Sequence, residues 1–139
     1  MPKYSRRDLS VLASALLLAS KAGAADEKRL PTAVINRDDV PPNKAGGRNY
    51  FHGLTHENIP FEVHETVLPP GGAPHPPHTH VHEEMAIVFD GELEVFVEGH
   101  GTKVLNPGGF VYVNSNELHG WKNPGKAQSR YLVIAVGND

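Results

Sequence analysis

Apolar residues in this chain come in short clusters, each closed by glycine, proline or asparagine. Arg48 to Leu54 is the first candidate strand. Phe61 to Leu68 is the second, with Phe61, Val63 and Val67 in one phase, and Pro69-Pro70-Gly71-Gly72 ends it. Met85 to Phe89 is a continuous apolar run, the pattern of a strand buried on both faces. Asp90-Gly91, a strong two-residue hairpin signal, leads into Glu92 to Val97, where Leu93, Val95 and Val97 alternate with Glu92 and Glu94. Further strands are predicted over Thr102 to Leu105, Phe110 to Val113, His119 to Lys122 and Arg130 to Val136. Turns at 98–101, 106–109 and 123–125 separate them, with a loop from Asn114 to Leu118. No segment beyond residue 24 has a helical period. Many short strands between regular turns predict an all-β sandwich or barrel. The length of 139 residues suggests one domain.

The first residues have a different character. Ser5-Arg6-Arg7-Asp8-Leu9 is followed by the apolar run Val11 to Ala19, then Lys21 and Ala22-Gly23-Ala24. A basic segment, an apolar segment and a small-x-small site predict a signal peptide over residues 1–24, cleaved after Ala24. The run is too short for a membrane span. Arg6-Arg7 is similar to the bacterial twin-arginine export signal, although Ser10 stands where a second large apolar residue is usual; a general secretory signal is the alternative. A periplasmic or secreted location follows from either. Residues 25–47 are expected to form a loosely attached arm packed on a partner subunit, with a short strand at Ala33-Val34-Ile35 and turn chemistry from Asp38 to Gly47. Residues 48–139 then form the β-barrel domain.

Charge and cysteine usage narrow the function classes. Beyond residue 24 remain 9 basic and 15 acidic side chains, a net charge of −6. That balance argues against nucleic acid or an anionic membrane as partner. With no cysteine in the chain, disulfides and thiol chemistry are excluded and any metal ligand must be nitrogen or oxygen. Burial of an apolar face in a homodimer is common for a domain of this size.

The densest chemistry lies between Gly72 and Gly91. Four of the nine histidines fall between His75 and His82, followed by Glu83-Glu84. Neutral imidazole is the commonest metal ligand. Residues at even spacing on a strand share a face, so His78, His80 and Glu84 can converge from one unbroken strand. His82 shares that face too, and leaves His80 with His82 as an alternative pair.

The spacing carries a resemblance. Gly72, five residues, His78-Thr79-His80, three residues, Glu84, six residues and Gly91 resembles the first signature of the cupin superfamily at every fixed position. Gly101, Pro107, Gly109, His119 and Asn123 follow the second in order, with a nine-residue spacer before His119. The resemblance covers roughly residues 60–136. It implies a jelly-roll barrel of the small single-domain bacterial type. It also implies one divalent transition metal (Mn, Fe, Ni, Co, Cu or Zn) held by His78, His80, Glu84 and His119, with coordination positions left open.

The neighbouring residues have two readings each. His75, between prolines, is a surface residue of the barrel mouth or a donor near the metal. Glu83 points to the opposite face as a solvated charge. His64 is structural or lines the pocket, and Trp121 is core or pocket wall. Either Phe110 and Tyr112 or Val111 and Val113 face inward. Arg48 and Arg130 are candidates for a substrate carboxylate. The expected function is an exported metal-dependent enzyme of oxygenase or isomerase type acting on a small oxygen-rich molecule. The alternative is a non-catalytic periplasmic metal or small-molecule binding protein.

Overall fold

A computed structural model describes residues 28–139; the predicted signal peptide lies outside them. Eight strands follow a short 3-10 turn at Arg37–Asp39: β1 (Arg48–Leu54), β2 (Pro60–Leu68), β3 (Glu83–Asp90), β4 (Leu93–Val97), β5 (Gly101–Leu105), β6 (Phe110–Val113), β7 (His119–Lys122) and β8 (Ser129–Val136). They form two antiparallel sheets, one in the order β1-β2-β8-β3-β6 and the other β5-β4-β7. The all-β barrel expected from the alternation is present, and each strand lies within a few residues of its predicted bounds.

The core between the sheets is built from Leu68, Ala86, Val88, Tyr131 and Val133 of the larger sheet, and Leu93, Val95, Val97 and Trp121 of the smaller one. On β4 the predicted inward phase is the observed one. On β6 it is Val111 and Val113 that turn inward, and Phe110 and Tyr112 are exposed.

Three expectations are corrected. Asp90-Gly91 is not a hairpin turn. The flanking strands β3 and β4 belong to different sheets, and the pair is the corner between them. A register shift between Val88 and Asp90 against β8 bends the strand there. Gly91 then takes φ +72°, where a Cβ would stand 2.6 Å from the Gln128 carbonyl oxygen. The real hairpin of this region joins β4 to β5. Ala33-Val34-Ile35 is not a strand, because no neighbour offers it a ladder; Val34 is 99 % exposed. Nor is the described part of the arm loose. The Leu30 amide donates to the Leu54 carbonyl (2.8 Å), and the Leu54 amide to that of Lys28 (3.1 Å).

A buried carboxylate fastens the arm further. Glu65 of β2 is 1 % exposed and lies on the outer face of the larger sheet, in the phase of Val63. Arg37 of the arm donates to both its oxygens (2.9 Å each), and Arg130 of β8 donates at 3.0 Å. Arg48 of β1 approaches at 3.4 Å. Arg130 also donates to Asp90 at 2.6 Å. Arg48 and Arg130 are therefore committed to carboxylates on the outside of the barrel, and the structure does not bring them to the histidines. A hollow of 680 Å³ beside this network is lined by Ile35, Phe51, Phe89 and Leu132.

Burial by itself pushes the Glu65 carboxyl up, but the hydrogen bonds from Arg37 and Arg130 outweigh it and hold the group below the ordinary glutamate range. A depressed carboxylate contributes stability above its unfolded pKa of about 4.3 and loses it as pH falls through the folded value. Glu65→Gln is expected to cost about 3 kcal/mol at neutral pH and to flatten the acid limb of stability against pH, measured by urea unfolding. Arg37→Ala should expose the arm to limited proteolysis while leaving the barrel folded.

Candidate metal centre

His78 and His80 do not stand in one strand with Glu84, as their even spacing predicts. The chain from Gly72 to His82 is a loop, and β3 starts only at Glu83. Pro74, Pro76 and Pro77 lack the amide hydrogens that a regular ladder needs. Convergence has another origin. The His78 amide donates to the His119 carbonyl (2.9 Å), and the His119 amide donates back to His78 (3.0 Å). Further along, the Asn123 amide donates to Gly72 (2.8 Å) and the Gly71 amide to Asn123 (2.9 Å). The loop thus runs antiparallel beside β7 and lays His78 against His119.

The four predicted residues come together. Ring centroids are 5.1 Å apart for His78 and His80, 4.9 Å for His78 and His119, and 4.7 Å for His80 and His119. Glu84 Oε2 lies 2.7 Å from His80 Nε2 and 3.5 Å from His119 Nε2. Donor atoms of His78, His80 and His119 lie within 4.8 Å of one another, as do those of His80, His82 and Glu84. Either trio could hold an ion, and the two share His80.

Hydrogen bonding sets which ring nitrogens are bare. His119 Nδ1 lies 2.8 Å from the Glu117 carbonyl, and His80 Nδ1 lies 2.8 Å from that of His82. A carbonyl only accepts, so each Nδ1 carries the proton and each Nε2 keeps a lone pair. His119 Nε2 is buried with no hydrogen-bond partner, and so is His78 Nδ1. His80 Nε2 directs its lone pair at a carboxylate oxygen 2.7 Å away. Two acceptors at that distance need a cation between or beside them, either a proton or a metal. The donor set is nitrogen and oxygen, as first-row divalent metals prefer. Burial, followed by the nearby rings of His75, His119 and His80, pushes the His78 imidazole below its ordinary pKa. That favours the neutral form able to ligate. The residues fit a metal.

The cupin domain family matches residues 64–135, more than half of the chain. The chain belongs to that family. A curated relative, Oryzines biosynthesis cluster protein J of Aspergillus oryzae, is 43 % identical over 60 residues, which are 42 % of this chain and 33 % of that protein. The chain thus spans a third of the relative's length. Among solved structures, an RmlC-like cupin from Shewanella frigidimarina aligns with TM-score 0.61 and 20 % identity over 78 % of this chain and 93 % of that one. The polyketide cyclase RemF from Streptomyces resistomycificus aligns with TM-score 0.57 and 24 % identity over 78 % and 85 %. Both show the fold.

In this cupin His78, His80 and Glu84 line a pocket of 290 Å³ whose other walls include Glu62, His64, Thr66, Val133 and Ala135, while His119 is fully buried. His64 therefore lines the pocket. Trp121 serves as both core and wall: it is 5 % exposed, stands 5.3 Å from the His119 ring, and donates from Nε1 to the Tyr131 hydroxyl (3.1 Å). Burial pushes the Tyr131 phenol up to about 12, so it stays neutral. His75 is exposed at the mouth, its ring edge-on to His78 at 4.0 Å. His82 lies flat on His80 at 3.7 Å, and its Nδ1 meets Asp139.

Glu62, Thr66 and Ala135 were not marked by spacing to the histidines. Their signal was phase alone: the even positions of β2 and odd positions of β8 face the pocket. Gly120 was equally silent. A Cβ there would stand 3.1 Å from Pro77 Cα and Cγ, so glycine lets the proline loop lie against β7. Gly120→Val is expected to push Pro77 away, cost about 1–3 kcal/mol and break the His78–His119 pairing. Amide hydrogen exchange at those two residues should rise at least tenfold, while that of β8 keeps pace with global stability.

Proposed function

We propose that this cupin binds one divalent transition metal through His78, His80, Glu84 and His119 and is an exported enzyme acting on a small oxygen-bearing molecule. The observation that carries the reading is the pair of buried, unpartnered ring nitrogens on His78 and His119, converging with the His80 Nε2–Glu84 contact beside an open pocket. A bound ion would supply Lewis acidity and an open position for a substrate oxygen. The chain supplies the rest. The Glu117 and His82 carbonyls lock the tautomers of His119 and His80. Trp121 and Tyr131 seal the floor against water. The pocket volume of 290 Å³ admits a small molecule only. Oxygenation or isomerisation of an enol-bearing or hydroxylated compound suits such a site. The likeness to a protein of a biosynthesis cluster is in keeping with small-molecule chemistry.

Elemental analysis of the purified mature protein is expected to give one transition-metal ion per chain. His119→Ala should lose it and melt at lower temperature. Absence of stoichiometric metal in the wild type, or its retention in His119→Ala, would overturn the assignment. Oxygen uptake and product analysis across phenolic and dicarbonyl compounds then separate enzyme from binding protein. A fully loaded but inert protein supports the binding role.

Export rests on residues 1–24. Mass spectrometry of protein recovered from outside the cytoplasm should show a chain beginning at Ala25. Arg6→Lys with Arg7→Lys should abolish export by the twin-arginine route and leave secretory export intact. A homodimer is the proposed assembly, with Ile35 and Phe89, which are exposed and line the same outer hollow, as the supporting apolar surface.

A further inference from the structure

The pocket holds a second constellation opposite the histidine cluster. Glu62, His64 and Thr66 alternate along β2 and all line the pocket. Glu62 Oε1 lies 2.7 Å from His64 Nδ1. A carboxylate accepts, so Nδ1 donates, and the lone pair resides on Nε2. Both side chains are partly open to solvent, at 29 % for His64 and 43 % for Glu62, so protons can enter and leave.

The sheet register sets the separation. Glu62 pairs with Ala135 and Ala135 with Glu84; His64 pairs with Val133 and Val133 with Ala86. A single strand, β8, thus stands between the two constellations, placing their backbones roughly 10 Å apart. The residue between the two carboxylates is alanine, whose small side chain leaves the gap open. Such an arrangement leaves room for a few heavy atoms bounded by the histidine cluster on one side and an oriented imidazole on the other.

We propose that His64 is the general base of this pocket, with Glu62 as its positioning residue, and that the substrate is a carbon acid, a hydroxyketone or its like. This deepens the reading above and rests on it. In the proton transfer, the C–H bond next to the carbonyl breaks and its electron pair forms the enolate, whose oxygen faces the histidine cluster. The proton goes to His64 Nε2. The imidazolium, stabilised by the Glu62 carboxylate, returns a proton to the same or the neighbouring carbon. No oxidant is needed. The other titratable groups of the pocket are otherwise engaged. Glu84 contacts His80 and His119, His82 stacks on His80, His75 packs against His78, and the hydroxyl of Tyr131 accepts from Trp121. The competing explanation is an ion pair on one strand face that serves stability only, and such pairs contribute little.

The test is deuterium incorporation from D2O into dihydroxyacetone, followed by proton NMR, with the metal content of every sample measured. The mature wild-type protein is expected to exchange the carbon-bound protons faster than a control of buffer and free metal. His64→Ala should lose at least a hundredfold with metal content unchanged. Glu62→Gln should lose about tenfold, and nitrogen-15 shifts of His64 should show the Nδ1-protonated tautomer depopulated. His100→Ala, at an exposed histidine outside the pocket, serves as a control that retains exchange. Full metal without wild-type exchange overturns the base assignment alone, as does retention of exchange in His64→Ala, or its loss in His100→Ala with metal still bound. Exchange that depends on His64 in protein free of metal upholds the base and overturns the metal reading.

Discussion

Two reciprocal backbone hydrogen bonds between His78 and His119 hold the rest of this structure to its purpose. They attach the loop that enters the larger sheet to the edge strand of the smaller one. An unpaired edge beside β7 would otherwise present its amides and carbonyls to solvent. The same pairing sets two imidazoles side by side, and continues through Gly72 and Asn123. The Asn123 amide group donates to the Leu68 and Ala127 carbonyls, which ties the end of β2 to the turn before β8. The barrel is closed where the histidines meet, so the contact that closes it also builds the site.

Strand β2 divides two tasks between its faces. Its inner face carries Glu62, His64 and Thr66 to the pocket. Its outer face buries Glu65 beneath three guanidinium groups drawn from the arm, β1 and β8. A carboxylate so buried would be costly without such partners. With them it fixes the position of the strand whose other side supplies the proposed base. Polar residues on both faces of one strand are thus each satisfied, one set by arginine and the other by mutual contact and solvent.

The histidine cluster and the Glu62–His64 pair differ in what supports them. Carbonyls of the protein itself select the tautomers of His80 and His119, and the side chains of His80, Glu84 and His119 are largely buried. His64 is oriented by a side chain and stays half-open. The first arrangement suits a held ion; the second suits a group that must exchange protons with its surroundings.

Much was legible in the chain because the relevant physics is local. The alternation in β4, the apolar run of β3 and the glycine–proline turns follow from side-chain phase and backbone sterics, and they determined the all-β class and nearly every strand. The spacing of His78, His80, Glu84 and His119 named a cluster that the fold brings together. The tertiary structure decided what depends on distant neighbours. Asp90-Gly91 has the local chemistry of a hairpin, but whether the next strand returns to the same sheet depends on β8 and the bend at Val88. Val63 and Glu65 share a phase with Phe61, yet only the arm and Arg130 show that this phase faces outward. The meeting of His64 with the cluster arises from β8 pairing with β2 on one side and β3 on the other. That pairing joins residues far apart in sequence, and no local period records it.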